Sequence, residues 1–591
     1  MFILCTILPV ISVVLCLYRE IGYRDIIRKS AVYILICNIA LFSIFYVWYG
    51  GISVAECMDH YTSFAIKYIF LNTILVIAVG LVDKYMINGR KIHIIFGNGL
   101  KRVVKGCTTA LKSERLFICI AVLICICNAF FLFDNALWGD EGFSAILVRN
   151  NISGILKGTA ADVHPPLYYL LLKCMVSLFG ESGIVLHLTS YIAFLCCCLL
   201  VITFVRKRMG LIPAYFAIML TGWTGMGMVY SIEIRMYSMT LLFVTLTFCA
   251  AYQVLTEKKM RYWIEMSIFA LLGAYTHYFA LLEVAFIMSG VYVYAIVKKQ
   301  KDVWKKIFIT IMLCIVGYIP WLTSLLMTLK HTVKDFWLQA VPSFAESMDL
   351  VFGRMNYSRG LYLCFIALLF IKVIMQIVTI RREKESTDIY IKYTVDRDNN
   401  SLFMVWIALW SIIGTILFGI LFSKVVRPVM LTRYLFPMTT MAGISLGIMV
   451  NYFMKQKKWA PIMGIATVTM LVFMSVAGIQ EYIKRYDTYQ IYRDETTDTV
   501  EILNNEIDNG CQIVSDIDHF NWTVLEYYFP QMHKNFYSLF EEAEPDKAVA
   551  LLQNEISNET HEKIESLGYT VSPLGTGRLD DTVCYIYYLE K

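Results

Sequence analysis

The stretch Trp138-Gly139-Asp140-Glu141-Gly142-Phe143 places two adjacent carboxylates directly after an apolar run over residues 116–137. A run of that length covers the roughly 30 Å of hydrocarbon in a bilayer, so the pair sits where a membrane span should end. Carboxylates at that position are expensive unless they do something. If they emerge on the outer face, Asp140 and Glu141 meet substrates that arrive dissolved in lipid.

The rest of the chain fits that setting. Of its 591 residues, 58% are hydrophobic and only 17% charged, with a mean hydropathy of +0.61. A soluble domain lies nearer half apolar and about a quarter charged. Long apolar runs recur from end to end, which predicts a polytopic α-helical membrane protein. The spacing predicts about fourteen spans, near 2–18, 30–49, 63–82, 116–137, 184–205, 211–229, 236–255, 262–275, 279–297, 306–326, 360–380, 402–423, 434–453 and 459–478.

The loop charges test that count. Basic clusters fall in every other connection: Arg24, Arg28 and Lys29; the run from Lys84 to Arg115; Arg206-Lys207-Arg208; Lys258, Lys259 and Arg261; Lys298, Lys299 and Lys301; Arg381-Arg382; and Lys455, Lys457 and Lys458. Basic loops stay cytoplasmic, so both termini and the intervening connections are expected outside, in a multi-pass plasma-membrane protein. The net charge of +6 then reflects topology rather than nucleic-acid binding. Residues 164–179 are apolar as well, but a crossing there would turn every later basic loop outward. Residues 138–183 therefore read as one large outer loop whose helices lie on the membrane surface, one of them started by Pro165-Pro166.

Three regions follow: an N-terminal three-span extension with its basic loop (1–115), a transmembrane region (116–479) and a polar stretch (480–591) that reads as a small extracytoplasmic α/β domain. In that last region Thr497–Glu506 and Pro545–Leu567 read as helices, and Gln512–Ile517 and Val583–Leu589 as strands. The 17 cysteines lie mostly inside apolar runs, as in Cys196-Cys197-Cys198, and read as small buried hydrophobes. Cys511 and Cys584 read as free buried thiols, with a disulfide as the other arrangement.

On this topology polar residues gather on one side. Asp140 and Glu141 open the large loop, and Asp162 and His164 follow in Asp162-Val163-His164-Pro165-Pro166-Leu167-Tyr168-Tyr169. Glu233, Arg235 and Tyr237 occupy the next outer turn, Tyr275-Thr276-His277-Tyr278 another, and Arg427 and Arg433-Tyr434 flank a third. Taken singly, each arginine reads as snorkelling to lipid phosphate and His277 as a hydrogen-bonded turn residue. Together they supply a base and cations for an anionic leaving group.

Four of these motifs, Trp138 to Ser144, Asp162 to Tyr169, Arg235-Met236-Tyr237-Ser238 and Tyr275-Thr276-His277-Tyr278-Phe279, occur in an order that resembles the bacterial glycosyltransferase family 39 group. That group is related to protein O-mannosyltransferases and lipid A aminoarabinose transferases and has the GT-C fold. The resemblance covers residues 116–450 and implies that region 116–479 is catalytic. It implies transfer of a sugar from a polyprenyl-phosphate carrier to an acceptor on the outer face. It further implies Asp140 as base with Glu141 beside it, and Arg235 and Arg433 around the lipid phosphate. His277 and Tyr237 are expected there too, with Asp162, His164, Tyr168 and Arg427 lining the site. The three N-terminal spans and the tail after residue 480 depart from the family pattern.

The chemistry expected is inverting glycosyl transfer to a hydroxyl of a glycan, lipid or protein. No cofactor is required, since a departing lipid phosphate needs positive charge more than protonation. If a divalent metal binds, Asp140, Glu141, Asp162 and His164 are its ligands. The alternative is a transporter or flippase of lipid-linked sugars, but transporters place polar groups at the midplane and carry internal repeats, and neither pattern is present here.

Overall fold

The computed structural model describes residues 106–591 except 107–108, 135, 163, 332–340, 354–401, 427, 456–459, 517–518, 531–532, 543–544 and 580–581. The expected spans near 2–18, 30–49, 63–82 and 360–380 and the expected site residue Arg427 lie outside the described residues.

Eight described helices are long and apolar enough to cross a membrane, and the chain is a polytopic helical membrane protein. Helix α1 (Glu114–Phe133) ends in a tight 3-10 turn. The loop after it folds into three short helices, α2 (Gly139–Arg149), α3 (Ile152–Ala161) and α4 (Leu167–Phe179), with Pro166 as the cap of α4. Helix α5 (Gly183–Arg208) follows, with a wide π turn at Val201–Val205.

The span expected over 211–229 is broken. Helix α6 (Leu211–Gly222) stops at Trp223, and α7 (Gly225–Tyr230) restarts with the Thr224 hydroxyl accepting the Gly227 N–H at 3.1 Å. A break at membrane depth frees backbone groups that need new partners. Asn128 of α1 supplies one, donating to the Gly222 carbonyl at 2.9 Å and accepting from Ser231 Oγ at 3.1 Å. The bundle continues with α8 (Tyr237–Thr256), α9 (Met260–Thr276), α10 (Tyr278–Val297), α11 (Lys301–His331), α12 (Phe344–Val351), α13 (Leu402–Val425) and α14 (Thr432–Met454).

Helix α14 packs against α6 at backbone distance. A Cβ at Gly443 would stand 2.6 Å from Ala217 Cα, and one at Gly447 would fall on the backbone of Pro213. The Gly443-x-x-x-Gly447 spacing puts both glycines on one stripe, the small-residue device by which membrane helices approach closely.

The last helix, α15 (Ala460–Asp508), corrects the sequence reading, which ended a span at 478 and began a separate domain at 480. It runs unbroken for 49 residues, out of the apolar bundle and into the polar region. Gly478, read as a composition boundary, is a packing glycine: a Cβ there would fall on the Trp223 indole.

Beyond α15 lies a five-stranded sheet in the order β2-β1-β3-β5-β4. The elements are β1 (Gln512–Ser515), α16 (His519–Tyr528), β2 (His533–Asn535), α17 (Leu539–Glu542), β3 (Lys547–Leu552), α18 (Asn558–Ser566), β4 (Thr570–Leu579) and β5 (Thr582–Glu590). Strand β1 pairs parallel to β2 and β3, and β5 pairs antiparallel to β3 and β4. Ile513, Val549, Leu551 and Ile586 form one buried face with Leu503 of α15 and Val524 of α16, while Val514, Ala548, Ala550 and Leu589 form the other with Ile564 of α18. Lys547–Leu552 was read as the start of a helix. A short apolar run cannot reveal its period, and here pairing on both sides makes it a central strand. Cys511 and Cys584 are both free and buried.

Gly447→Val would drive a branched side chain into the Pro213 backbone. Overpacking of this kind costs about 3 kcal/mol, so the variant is expected to melt well below wild type in detergent by differential scanning fluorimetry. An unchanged Tm would show that the α6–α14 approach is not tight.

Candidate active site

Asp140 and Glu141 lie in the first turn of α2, where the helix dipole favours negative charge. Consecutive residues on a helix point about 100° apart, so the two carboxylates cannot share a task. Asp140 faces two arginines: its Oδ2 is 2.9 Å from Arg433 Nη2 and 3.9 Å from Arg235 Nε. Glu141 turns the other way and is 5% exposed. Its Oε1 accepts the Ile234 N–H at 2.9 Å and lies 3.7 Å from His187 Nδ1, and its Oε2 accepts the Trp138 N–H at 3.4 Å. Burial pushes the Glu141 carboxyl up to about 8, against the stabilising pull of those backbone donors. Near neutrality it is uncharged, and it ties α2 to the 232–235 turn rather than standing beside Asp140 in the site.

Arg235 is 3% exposed. Its Nη1 donates to Tyr169 OH at 3.0 Å and reaches Ser144 Oγ and the Asp140 carbonyl at 3.4 Å each. Arg433 enters from the 3-10 turn Thr432–Met438 that opens α14. Its guanidinium stands over the Trp138 ring at 5.3 Å and the Tyr237 ring at 6.0 Å. Buried cations are tolerated only with such partners; a carboxylate and aromatic faces provide them here.

Aromatic and imidazole rings line the same cluster. His164 stacks on His277 at 5.2 Å, and His277 meets Tyr434 at 4.5 Å and Tyr237 at 6.2 Å. His277 caps α10, its Nδ1 accepting the Phe279 N–H at 3.0 Å, which assigns the ring proton to Nε2. Burial, reinforced by Arg235 and Arg433, lowers His277 to about 3 and holds His164 well below the usual imidazole range. His277 is thus a neutral donor, which corrects its reading as a source of charge for the phosphate. Its Nε2, His164 Nδ1 and Tyr237 OH have no hydrogen-bond partner among the described residues. Buried polar atoms are nearly always paired, so three unpaired ones in a single ring cluster mark a place for a polar ligand.

The structure therefore brings together Asp140, Arg235, Arg433, His164, His277 and Tyr237. Asp162 closes α3 and acts electrostatically on Arg235 and Tyr169. Tyr168 stands behind the site: its hydroxyl meets Ser190 Oγ at 2.9 Å, and Ser190 in turn donates to the Arg235 carbonyl at 3.1 Å. Among the described residues no group of three or more His, Cys, Asp or Glu side chains gathers to hold a metal; Glu141, one of the four expected ligands, points away from Asp140. Sequence reasoning missed Ser144 and Tyr169 as partners of Arg235, and His187 as a neighbour of Glu141. Only His187 left a signal, as a lone imidazole on the apolar helix α5.

Known proteins show the same fold. The family model described as dolichyl-phosphate-mannose-protein mannosyltransferase matches residues 163–323. The crystal structure of ArnT from Cupriavidus metallidurans in the apo state superposes with a TM-score of 0.50 at 13% identity, covering 80% of this chain and 97% of that one. The chain is thus similar in part of its sequence to that mannosyltransferase family and shares the fold of a family 39-like membrane glycosyltransferase. The structure of the same ArnT bound to undecaprenyl phosphate matches with a TM-score of 0.47, again at 13% identity, 80% of this chain and 97% of that one. No curated protein matches the sequence.

One more acid borders the candidate site. Glu233 is buried, neither of its oxygens is paired among the described residues, and burial, helped by Glu141, pushes it up to about 8. An acid whose folded pKa is raised holds its proton more tightly in the fold, so its contribution is fully present below the usual carboxyl range near about pH 4 and is lost as pH rises through about 8. The wild-type Tm in detergent is expected to fall between pH 5 and 9, and Glu233→Gln to fall less steeply. Parallel slopes for the two proteins would contradict this burial.

Proposed function

We propose that the enzyme transfers a glycosyl group from a polyprenyl-phosphate carrier to an acceptor hydroxyl at the extracytoplasmic face, inverting the anomeric carbon. The observation that carries this reading is Asp140 set beside two arginines, the half-buried Arg433 at 2.9 Å and the buried Arg235 at 3.9 Å. One side of the cluster is a carboxylate suited to take a proton, and the other is a pair of guanidiniums suited to a phosphate. On this reading the C-terminal sheet and both termini lie on the same face, and the acceptor is a glycan, lipid or protein hydroxyl.

The step balances as follows. The acceptor oxygen attacks the anomeric carbon while its proton passes to Asp140. The bond from that carbon to the phosphate oxygen breaks, and the electron pair leaves on polyprenyl phosphate, stabilised by Arg235 and Arg433. Asp140 and the phosphate call on the same guanidiniums. As the phosphate takes Arg433, Asp140 Oδ2 is released to accept the proton, which couples donor binding to the appearance of the base. His277 Nε2–H and Tyr237 OH are neutral donors suited to the sugar's hydroxyls. The reading gives a divalent metal no role.

Release of free polyprenyl phosphate in native membranes treated with EDTA tests this. The wild-type enzyme should release it, and Asp140→Asn should do so about 10³-fold more slowly, the usual scale of a general base. Arg235→Ala should lose about 10² in kcat/KM. Near-normal release by Asp140→Asn would remove the aspartate from the mechanism.

A further inference from the structure

Helix α2 presents three faces. The Asp140 face meets the arginines and the Glu141 face meets the bundle, while the third, carrying Gly139, Gly142 and Arg149, is covered by α16 of the C-terminal α/β unit. Thr523 Oγ1 donates to the Gly139 carbonyl at 2.8 Å. A Cβ at Gly142 would stand 3.0 Å from both the Thr523 carbonyl carbon and the Val524 amide nitrogen. Those are backbone atoms of a helix, so a side chain at this position would have to push α16 away by a few tenths of an ångström. At the far end of α2, Arg149 Nη2 donates to the Tyr527 carbonyl at 3.0 Å, and its guanidinium lies 5.0 Å from the Tyr527 ring.

Gly139 and Gly142, the two residues in closest touch with α16, bracket Asp140. Glu141 caps the first turn through the Trp138 N–H and ties it to the 232–235 turn, but the face toward α16 carries only Gly139 and Gly142 in that turn, so no side chain of α2 holds it there. We propose that Thr523 is a positioning residue for transfer, and that the docked α/β unit sets the depth of Asp140 between Arg235 and Arg433. This rests on the reading of Asp140 as the base. Displacing a reacting group by about 1 Å costs on the order of 10² in rate, so a contact that fixes the first turn of α2 acts on chemistry without touching substrate.

The same docking makes the C-terminal unit part of the transferase rather than an appendage. The 49-residue helix α15 carries the unit out of the membrane, and the chain returns to the site through α16. The hydroxyl of Thr499 on α15 accepts the Arg578 N–H at 2.7 Å, which ties the sheet to that helix as well. Among the described residues the unit is held at α15 and at α2, and α2 is where it meets the chemistry.

The experiment uses the full-length enzyme, with Thr523→Val, Thr523→Ser and Gly142→Ala. Two readouts are taken: polyprenyl phosphate release in native membranes as donor is varied, and hydrogen exchange of the purified protein in nanodiscs. Thr523→Val should lower kcat about tenfold with donor KM within about twofold, and raise exchange across 139–145 while leaving 237–256 unchanged. Thr523→Ser, which keeps the donor, should restore both, and Gly142→Ala should lose more than Thr523→Val. The proposal is overturned if Thr523→Val and Gly142→Ala transfer at the wild-type rate, if serine fails to rescue, or if exchange rises equally through the bundle. Full transfer by Asp140→Asn would defeat the base reading and leave the exchange result intact, so the two failures are distinguishable.

Discussion

The arrangement depends on one constraint: a carboxylate and two guanidiniums are held together, largely shielded from water, beside a membrane. Asp140, Arg235 and Arg433 come from three separate parts of the chain, and the one carboxylate is the counter-charge to both arginines. Removing one partner of a buried pair leaves an uncompensated charge, typically at a cost of about 3–5 kcal/mol. Much of the surrounding architecture serves to keep that cluster closed. Tyr169, Ser144, Trp138 and Tyr237 surround the arginines, Ser190 and Tyr168 fix the carbonyl of Arg235, and α16 presses on the helix that carries Asp140.

The second carboxylate shows how a helix divides labour between neighbours. Glu141 differs from Asp140 by one position and by nearly everything else. It is buried and uncharged near neutrality, and it accepts two backbone N–H bonds. Its role is to bind α2 to the irregular turn that ends in Arg235. The acid pair is thus one carboxylate in the arginine cluster and one fastener, and the fastener holds in register the turn that delivers Arg235 to that carboxylate.

Parts of this were legible in the residues. Composition and loop charge were enough for a polytopic membrane protein, because burial in lipid leaves a strong imprint on hydropathy. The motif around Asp140 and the Asp162 to Tyr169 stretch pointed to the cluster, since carboxylates, histidines and arginines at a span's end have few structural uses. What could not be read depends on side-chain direction and tertiary pairing. Adjacent Asp140 and Glu141 looked like partners until the helix turned them apart. His277 looked like a cation until burial beside two arginines made it neutral. Lys547–Leu552 looked helical until its neighbours made it a strand. The docking of Thr523 on Gly139 joins residues 384 apart in sequence, and no local pattern announces it.

The central claim is that Asp140 and the lipid phosphate compete for the same two arginines, so that donor binding releases the base. The most direct measurement is the affinity of undecaprenyl phosphate for the purified enzyme in nanodiscs, compared between wild type and Asp140→Asn. Removing the competing charge should make the asparagine variant bind the phosphate more tightly, by about three- to tenfold, while it fails to transfer. If Asp140→Asn binds undecaprenyl phosphate more weakly than wild type, the aspartate is helping to hold the donor and the account is wrong.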